Sequence, residues 1–251
     1  TNISGSNITS IGQGSLYYAT GSENTAVGKN AGFNITTGAY NTAVGSSAMQ
    51  GTTANTGNYN TAIGQQALFS NTTASNNTAV GYQAGYTNST GAYGVYLGYQ
   101  AGYATNATYG NVCIGYKVGH ALTGGGNTLV GALSTAGGDG AGTVLTTGTQ
   151  NSFFGTSAGN LVTQGSKNVI VGSYSGNQDS LDIRTASNYV VLADGDGNRQ
   201  ITMAEGQTLA LDSAVPNSGT GITFPATQSA SSNANTLDDY EEGTWTPVVI
   251  G

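Results

Sequence analysis

The hexapeptide Gly-Tyr-Gln-Ala-Gly-Tyr occurs twice, at Gly81–Tyr86 and Gly98–Tyr103, seventeen residues apart. A fixed period of that length constrains a fold more than any composition does, because each period must be one copy of a small structural unit. The unit reads Asn-Thr-Ala-Val-Gly, two variable residues, then Ala and often Gly. It opens at Asn24, Asn41, Asn60, Asn77, Gly94, Asn111, Asn127, Asn151, Asn168 and Asn188, in steps of 17, 19, 17, 17, 17, 16, 24, 17 and 20 residues. A degenerate copy, Ile11-Gly12, lies sixteen residues before Val27-Gly28. Counting the opening residue as position 1, position 4 is apolar in every copy, from Val27 to Val191. Position 5 is Gly from Gly28 to Gly172 and reads as Leu192 in the last copy. The Ala three residues after the Gly recurs at Ala31, Ala48, Ala67, Ala84, Ala101 and Ala158.

A 17-residue unit of this kind has no helical stripe, since apolar residues do not recur at i, i+3, i+4 and i+7. It holds one short β-prone run, such as Asn41–Val44, bounded by Gly, Asn, Ser and Thr. So short a run cannot bury a face alone, whereas stacked copies can. The pattern predicts an all-β chain: a parallel β-solenoid of about ten coils whose strands pair roughly 4.8 Å apart, giving a rod on the order of 50 Å long. Position 3 is Ala26, Ala43, Ala62 and Ala79, then Tyr96, Cys113, Leu129, Phe153, Ile170 and Val190. Positions 3 and 4 point to opposite sides of a strand, and both are apolar. One side lines the coil and the other calls for a partner, where small alanines allow close approach. The expectation is self-association, most simply a closed homotrimer of rods.

Composition supports stacking. Charged residues make up 7% of the chain and hydrophobic ones 37%; between Asn24 and Asn177 the only charges are Lys29, Lys117, Asp139 and Lys167. In a stack, each surface position faces its counterpart in the next coil, so a charged repeat would place like charges in register, whereas Asn, Thr and Ser hydrogen-bond along the stack. With 41 glycines the chain invites disorder as an alternative, but disorder does not require an apolar residue at one phase ten times over. A pI of about 4.2 and five Lys plus Arg argue against nucleic acid as a partner. No apolar run reaches the length of a membrane span, and no leader peptide is read at Thr1.

The NTAVG-x-x-A unit resembles the head repeat of trimeric autotransporter adhesins over roughly Ser10–Gly176. That family implies a left-handed parallel β-roll assembled as a trimer. The present period is longer, and one residue fewer separates Asn from Gly.

Past Gly176 the pattern changes, and ten of the twelve acidic residues lie from Asp179 onward. Asn188–Ala193 and Arg199–Ala204 flank Asp-Gly-Asp-Gly-Asn and predict a hairpin. Gln207–Val215 is a further strand candidate, and Pro216–Asn235 reads as an extended connector. Asn235–Pro247 (NTLDDYEEGTWTP), with GITFPATQ ahead of it, is similar to a stretch of bacteriophage tail fibre proteins where the shaft joins a distal tip. That resemblance implies a virion location, other tail proteins as partners, and attachment to a host cell-surface glycan or protein. The expected division is 1–178 repeat shaft, 179–216 hairpin neck and 217–251 connector, with the natural chain continuing past Gly251. A cellular trimeric surface adhesin and a free extracellular filament are the alternatives.

Little in the chain points to chemistry. Asp194, Asp196, Asn198 and Glu205 fall at positions 1, 3, 5 and 12 of a calcium loop, but the turn glycine is replaced by Arg199; a Gly-rich hairpin turn accounts for them as well. Cys113 and His120 are the only cysteine and histidine. Cys113 occupies a small-residue position of its repeat and reads as a buried apolar residue. Asp238, Asp239, Glu241 and Glu242 are adjacent acids in a polar connector, read as a solvated face rather than paired catalytic carboxylates. No cofactor and no enzymatic activity are expected. Eight of the fifteen tyrosines lie between Tyr82 and Tyr116. Tyr82, Tyr99 and Tyr116 share one phase and Tyr86 and Tyr103 another, beside Gln83 and Gln100. Stacked, they form aromatic ladders with amide donors that suit sugar rings; the same ladders also serve simply to cover the rod.

Overall fold

The computed structural model describes residues 4–107, 110–132, 140–205, 209–211 and 222–223. It is a parallel β-solenoid of about ten turns. Ten three-residue strands mark the coils: Thr9–Ile11 (β1), Thr25–Val27 (β2), Thr42–Val44 (β3), Thr61–Ile63 (β4), Thr78–Val80 (β5), Val95–Leu97 (β6), Val112–Ile114 (β7), Thr128–Val130 (β8), Ser152–Phe154 (β9) and Val169–Val171 (β10). Each pairs in parallel with the next, in the repeat's own register: Ala26 against Ala43, Ala43 against Ala62, Tyr96 against Cys113. The same sheet continues through Tyr189–Ala193 (β13), Arg199–Ala204 (β14), Leu209–Leu211 (β15) and Ile222–Thr223 (β16). Asn177–Gln178 (β11) and Leu181–Asp182 (β12) form a separate two-stranded ladder. No helix among the described residues is long and apolar enough to cross a membrane.

A closed coil this short turns through left-handed backbone. In the Gly81 coil, Gly81, Gln83, Gly85 and Tyr93 have φ of 133°, 52°, 60° and 61°. At position 5 the φ values run between 105° and 140° from Gly28 to Gly172, Gly131 excepted, where essentially only glycine rests without strain. The next coil also passes close by: a Cβ at Gly45 would lie 2.7 Å from both the carbonyl carbon and oxygen of Gly64.

The opening asparagines form the spine, and they lie inside the coil. Asn24, Asn41, Asn60, Asn77, Asn111, Asn127, Asn151 and Asn168 are all buried. The Asn41 amide N–H donates to Asn24 Oδ1 (2.9 Å), and Asn41 Nδ2 donates to the same oxygen and to the Gly57 carbonyl (3.2 and 2.9 Å). The pattern recurs at Asn60, Asn77, Asn127 and Asn151. Buried amides on this scale are tolerated because each donor and acceptor meets its counterpart one coil away.

The two apolar strand positions have the reverse of the expected roles. Position 3, anticipated as the partner-facing side, lines the interior: Ala26, Ala43, Ala62, Ala79, Cys113, Leu129, Phe153 and Ile170 are fully buried and Tyr96 nearly so. Position 4 points outward, leaving a partly exposed apolar column in which Ile63, Val80, Phe154 and Val171 are 40%, 38%, 41% and 43% exposed. Alanine suits position 3 because the coil is thin and other positions supply its bulk. Leu16, Met49 and Leu68 fill it four residues after the Gly, and Ile35, Leu122, Leu145 and Val162 at the following corner.

Tyr96 is the large exception, and glycines surround it. Cβ atoms added at Gly85, Gly94 or Gly102 would run into its ring. Gly94 stands where the spine asparagine belongs; its N–H still donates to Asn77 Oδ1 (2.7 Å) while the tyrosine takes the vacated space. The glycine and the tyrosine are therefore one substitution made at two sites. Gly94→Asn alone is expected to destabilise the rod by about 3 kcal/mol, and the loss should shrink by at least about 1 kcal/mol when combined with Tyr96→Ala. Strict additivity in a double-mutant cycle by denaturant unfolding would show the two sites to be independent.

Departures from 17 residues are accommodated outside the strands. The 24-residue step carries seven extra residues, and Ala141 takes the interior place next to Ala158: Gly119 N–H reaches Ala141 O as Gly142 N–H reaches Ala158 O. In the last copy the register differs from the expected one. Val190, Val191 and Leu192 pair with Val169, Ile170 and Val171. Tyr189 therefore stands at position 1, donating its N–H to Asn168 Oδ1 (2.9 Å), and Ala193 rather than Leu192 occupies the glycine place. The shift is one residue, enough to exchange inside for outside.

β13 and β14 form the antiparallel hairpin expected around Asp-Gly-Asp-Gly-Asn, Tyr189 pairing with Ala204. Buried Arg199 ties it to the preceding turn, donating to the Asp179 carbonyl (2.5 Å) and to Thr202 Oγ1 (3.2 Å). Within the expected connector, Ile222–Thr223 pairs in parallel with Leu209–Leu211; the rest of the connector and the Asn235–Pro247 stretch lie outside the described residues.

Candidate ligand-binding face

Past the strand and its glycine turn, each coil places one side chain directly after the glycine, a second at the next residue in left-handed backbone, and a third five residues after the glycine. In coils opening at Asn60, Asn77, Gly94 and Asn111 these positions are rich in Tyr and Gln, and the coil repeat aligns them in columns.

Tyr82, Tyr99 and Tyr116 stack with ring centroids 5.2 and 5.1 Å apart and ring planes within 19° and 9° of parallel. Phe69, Tyr86, Tyr103 and His120 form a second column at 5.1, 5.0 and 4.9 Å, more nearly parallel still. Between them in each coil stands the amide column: Gln83 Nε2 donates to Gln66 Oε1 (2.9 Å), and Gln100 Nε2 to Gln83 Oε1 (2.8 Å). Lys117 continues that position, its Nζ 5.5 Å from the centroid of the Tyr116 ring. Tyr82, Tyr99 and Tyr116 are 37%, 43% and 36% exposed, and the second column is half-buried. Burial and the neighbouring phenols of Tyr103 and Tyr82 raise the Tyr86 pKa.

All seven residues anticipated for this face, Tyr82, Tyr86, Tyr99, Tyr103, Tyr116, Gln83 and Gln100, fall in these three columns. The ladder that was to present ring faces presents something else. A coil spacing of about 5 Å brings successive rings into stacking contact, so both faces of Tyr99 and of Tyr103 are covered by their column neighbours. Ring edges, phenol hydroxyls and amides remain for a ligand. Phe69, Gln66 and His120 extend the columns, and were missed because their coils break the Gly-Tyr-Gln-Ala-Gly-Tyr wording while keeping its phase. A further exposed pair, Tyr40 and Tyr59, stacks at 4.9 Å just before the spine asparagine, where both have φ near +60°.

Beside the end of the tyrosine column lies an open groove of about 560 Å³ with a mainly apolar lining that includes Ile114, Tyr116, Val130 and Ala132. It is where Ala132 replaces the next tyrosine.

The other candidates do not assemble. Asp194 Oδ1 accepts the N–H groups of Asp196 and Asn198 (3.0 and 2.9 Å), and its Oδ2 accepts Asn198 Nδ2 (3.0 Å), which closes the hairpin turn. Glu205 sits at the far end of that hairpin and accepts Asn188 Nδ2 (2.8 Å). The four calcium-loop positions are thus split between the two ends of one ladder. Those bonds hold the Asp194 carboxyl below the usual range, the Asn198 side chain contributing most. Cys113 is wholly buried, and burial pushes its thiol up to about 12, which favours the protonated form at neutral pH, as befits an apolar interior residue. Among the described residues, no three His, Cys, Asp or Glu side chains converge as a metal site would need. Asp238, Asp239, Glu241 and Glu242 lie outside the described residues.

Comparison of the chain with protein-family models, with curated proteins and with solved structures returned no match, so its reading rests on its own residues and geometry.

Proposed function

We propose that this chain is the repetitive part of a bacteriophage tail fibre that attaches the virion to a host cell-surface glycan or protein, and that it works as a homotrimer. The observation that carries the reading is the set of exposed and half-buried tyrosine and glutamine columns on an otherwise nearly uncharged rod. A rigid solenoid holds its side chains at fixed spacing without any ordering on contact, and weak contacts multiply when displayed three-fold. The apolar column at position 4 gives the trimer its contact surface. The tyrosine ladder follows the glycine turn and borders that surface, Tyr116 sharing a groove with Ile114 and Val130 of the apolar column. The Asn235–Pro247 wording, similar to the stretch of tail fibre proteins where shaft joins tip, favours the virion over a cellular adhesin.

Immunoelectron microscopy with an antibody raised against Asn24–Gly176 tests the reading: label at the tails of virus particles supports it, and label on bacterial surfaces or free filaments replaces it with an adhesin or filament. The combined variant Tyr82→Ser, Tyr99→Ser, Tyr116→Ser is expected to keep the trimer and lower host-cell binding by about tenfold or more. Serine already occupies this position at Ser46. Unchanged binding would leave the column a purely structural one.

A further inference from the structure

We propose that the Gln66–Gln83–Gln100 column and its aromatic flanks bind an extended polysaccharide lengthwise, with successive sugar rings lying on successive coils. This rests on the attachment reading and gives its ligand a class and a direction. The covered ring faces decide the mode. A single sugar recognised by face-on stacking needs a free aromatic face, and inside these columns the stacking of each ring on the next removes it. What recurs from coil to coil is a row of polar groups flanked by an aromatic column from Phe69 onward and, from Tyr82 onward, by a second. Gln83, the inner rung, donates one N–H to Gln66 and accepts one from Gln100. A primary amide has two donors and two lone pairs, so one of each is left for a ligand. Sugar hydroxyls are both donor and acceptor and match that pairing. The rungs repeat every 5.0–5.2 Å, the size of the step between rings in an extended β-linked chain, so a ligand aligned with the rod meets equivalent groups at each coil. Lys117, the only charge in the four coils, takes the fourth place in the amide row and favours an acidic sugar there.

The test uses the full 251-residue chain and β-1,4-linked oligosaccharides of one to eight rings, in neutral and uronic-acid series, by titration calorimetry. Affinity is expected to rise about threefold with each ring up to four, one per rung from Gln66 to Lys117, and then to level off. The double variant Gln83→Ser, Gln100→Ser should keep the thermal melt, because Ser47 and Ser157 hold the same position with the same left-handed φ of 57° and 54°; it should flatten the length dependence. A disaccharide that binds as tightly as a tetrasaccharide, no binding by any series, or a variant that keeps the length dependence overturns the proposal. Those results leave the fibre reading standing if the antibody still labels phage tails. Length-dependent binding by a chain absent from virions supports the proposal and sinks the fibre.

Discussion

Gly45→Ala is expected to cost on the order of 4 kcal/mol and to separate the third coil from the fourth. Two penalties act together. At φ of 127° an alanine is strained by about 1–3 kcal/mol. Its Cβ would also lie 2.7 Å from the carbonyl carbon and oxygen of Gly64, backbone atoms that cannot swing aside. Relief requires moving the coils apart, which breaks the pairing of Thr42–Val44 with Thr61–Ile63. In a solenoid each coil is supported by its neighbours, so a fault at one interface exposes interior surface on both sides. Gly195→Ala is the control: nothing lies within 4 Å of its added Cβ and its φ is unremarkable, so the change should stay within about 0.5 kcal/mol. Urea unfolding followed by circular dichroism measures both. Similar midpoints for the two variants would show that the close approach at position 5 is not what selects glycine.

Asn60→Ala is expected to lose about 3 kcal/mol or more, although it removes only a small polar side chain. It deletes two donations, to Asn41 Oδ1 (3.1 Å) and the Ala74 carbonyl (2.8 Å), and the acceptor used by the N–H and Nδ2 of Asn77 (3.0 and 3.1 Å). The orphaned groups stay buried, where an unmet donor or acceptor costs about 1–3 kcal/mol. Asn60→Asp should be at least as damaging, since the ladder needs a donor toward Asn41 and an ionised carboxylate has none. Hydrogen exchange should locate the loss: the amide of Asn77 loses its protection first, while strands several coils away keep theirs. Uniform loss along the rod would mean that the spine acts as one cooperative unit.

The sequence alone carried a good deal of this. An apolar residue and a glycine recurring at one phase leave little besides a stack of short parallel strands, and the seventeen-residue step fixes how many coils there are. The near absence of charge follows from the same geometry. The register of Thr25–Val27, Thr42–Val44 and their successors is the repeat written in space. The columns of Tyr82, Tyr99 and Tyr116 and of Tyr86 and Tyr103 follow from their shared phase.

Other features were decided by the closed coil. Alternation along a strand separates positions 3 and 4 but does not say which is inside, because both are apolar here. The turn at the glycine settles it: it bends the chain toward the Ala26 and Ala43 side and leaves Val27 and Val44 outward. The same closure puts the spine asparagines in the interior, where composition placed them on the surface. It also makes Gly94 and Tyr96 a matched pair, which no local pattern reveals. At the last copy Asn188 looks like an opening residue, yet hydrogen bonding to Asn168 selects Tyr189. Phase alone could align the aromatic rings, but only the coil spacing determined that they cover one another's faces and leave edges, hydroxyls and amides for a partner.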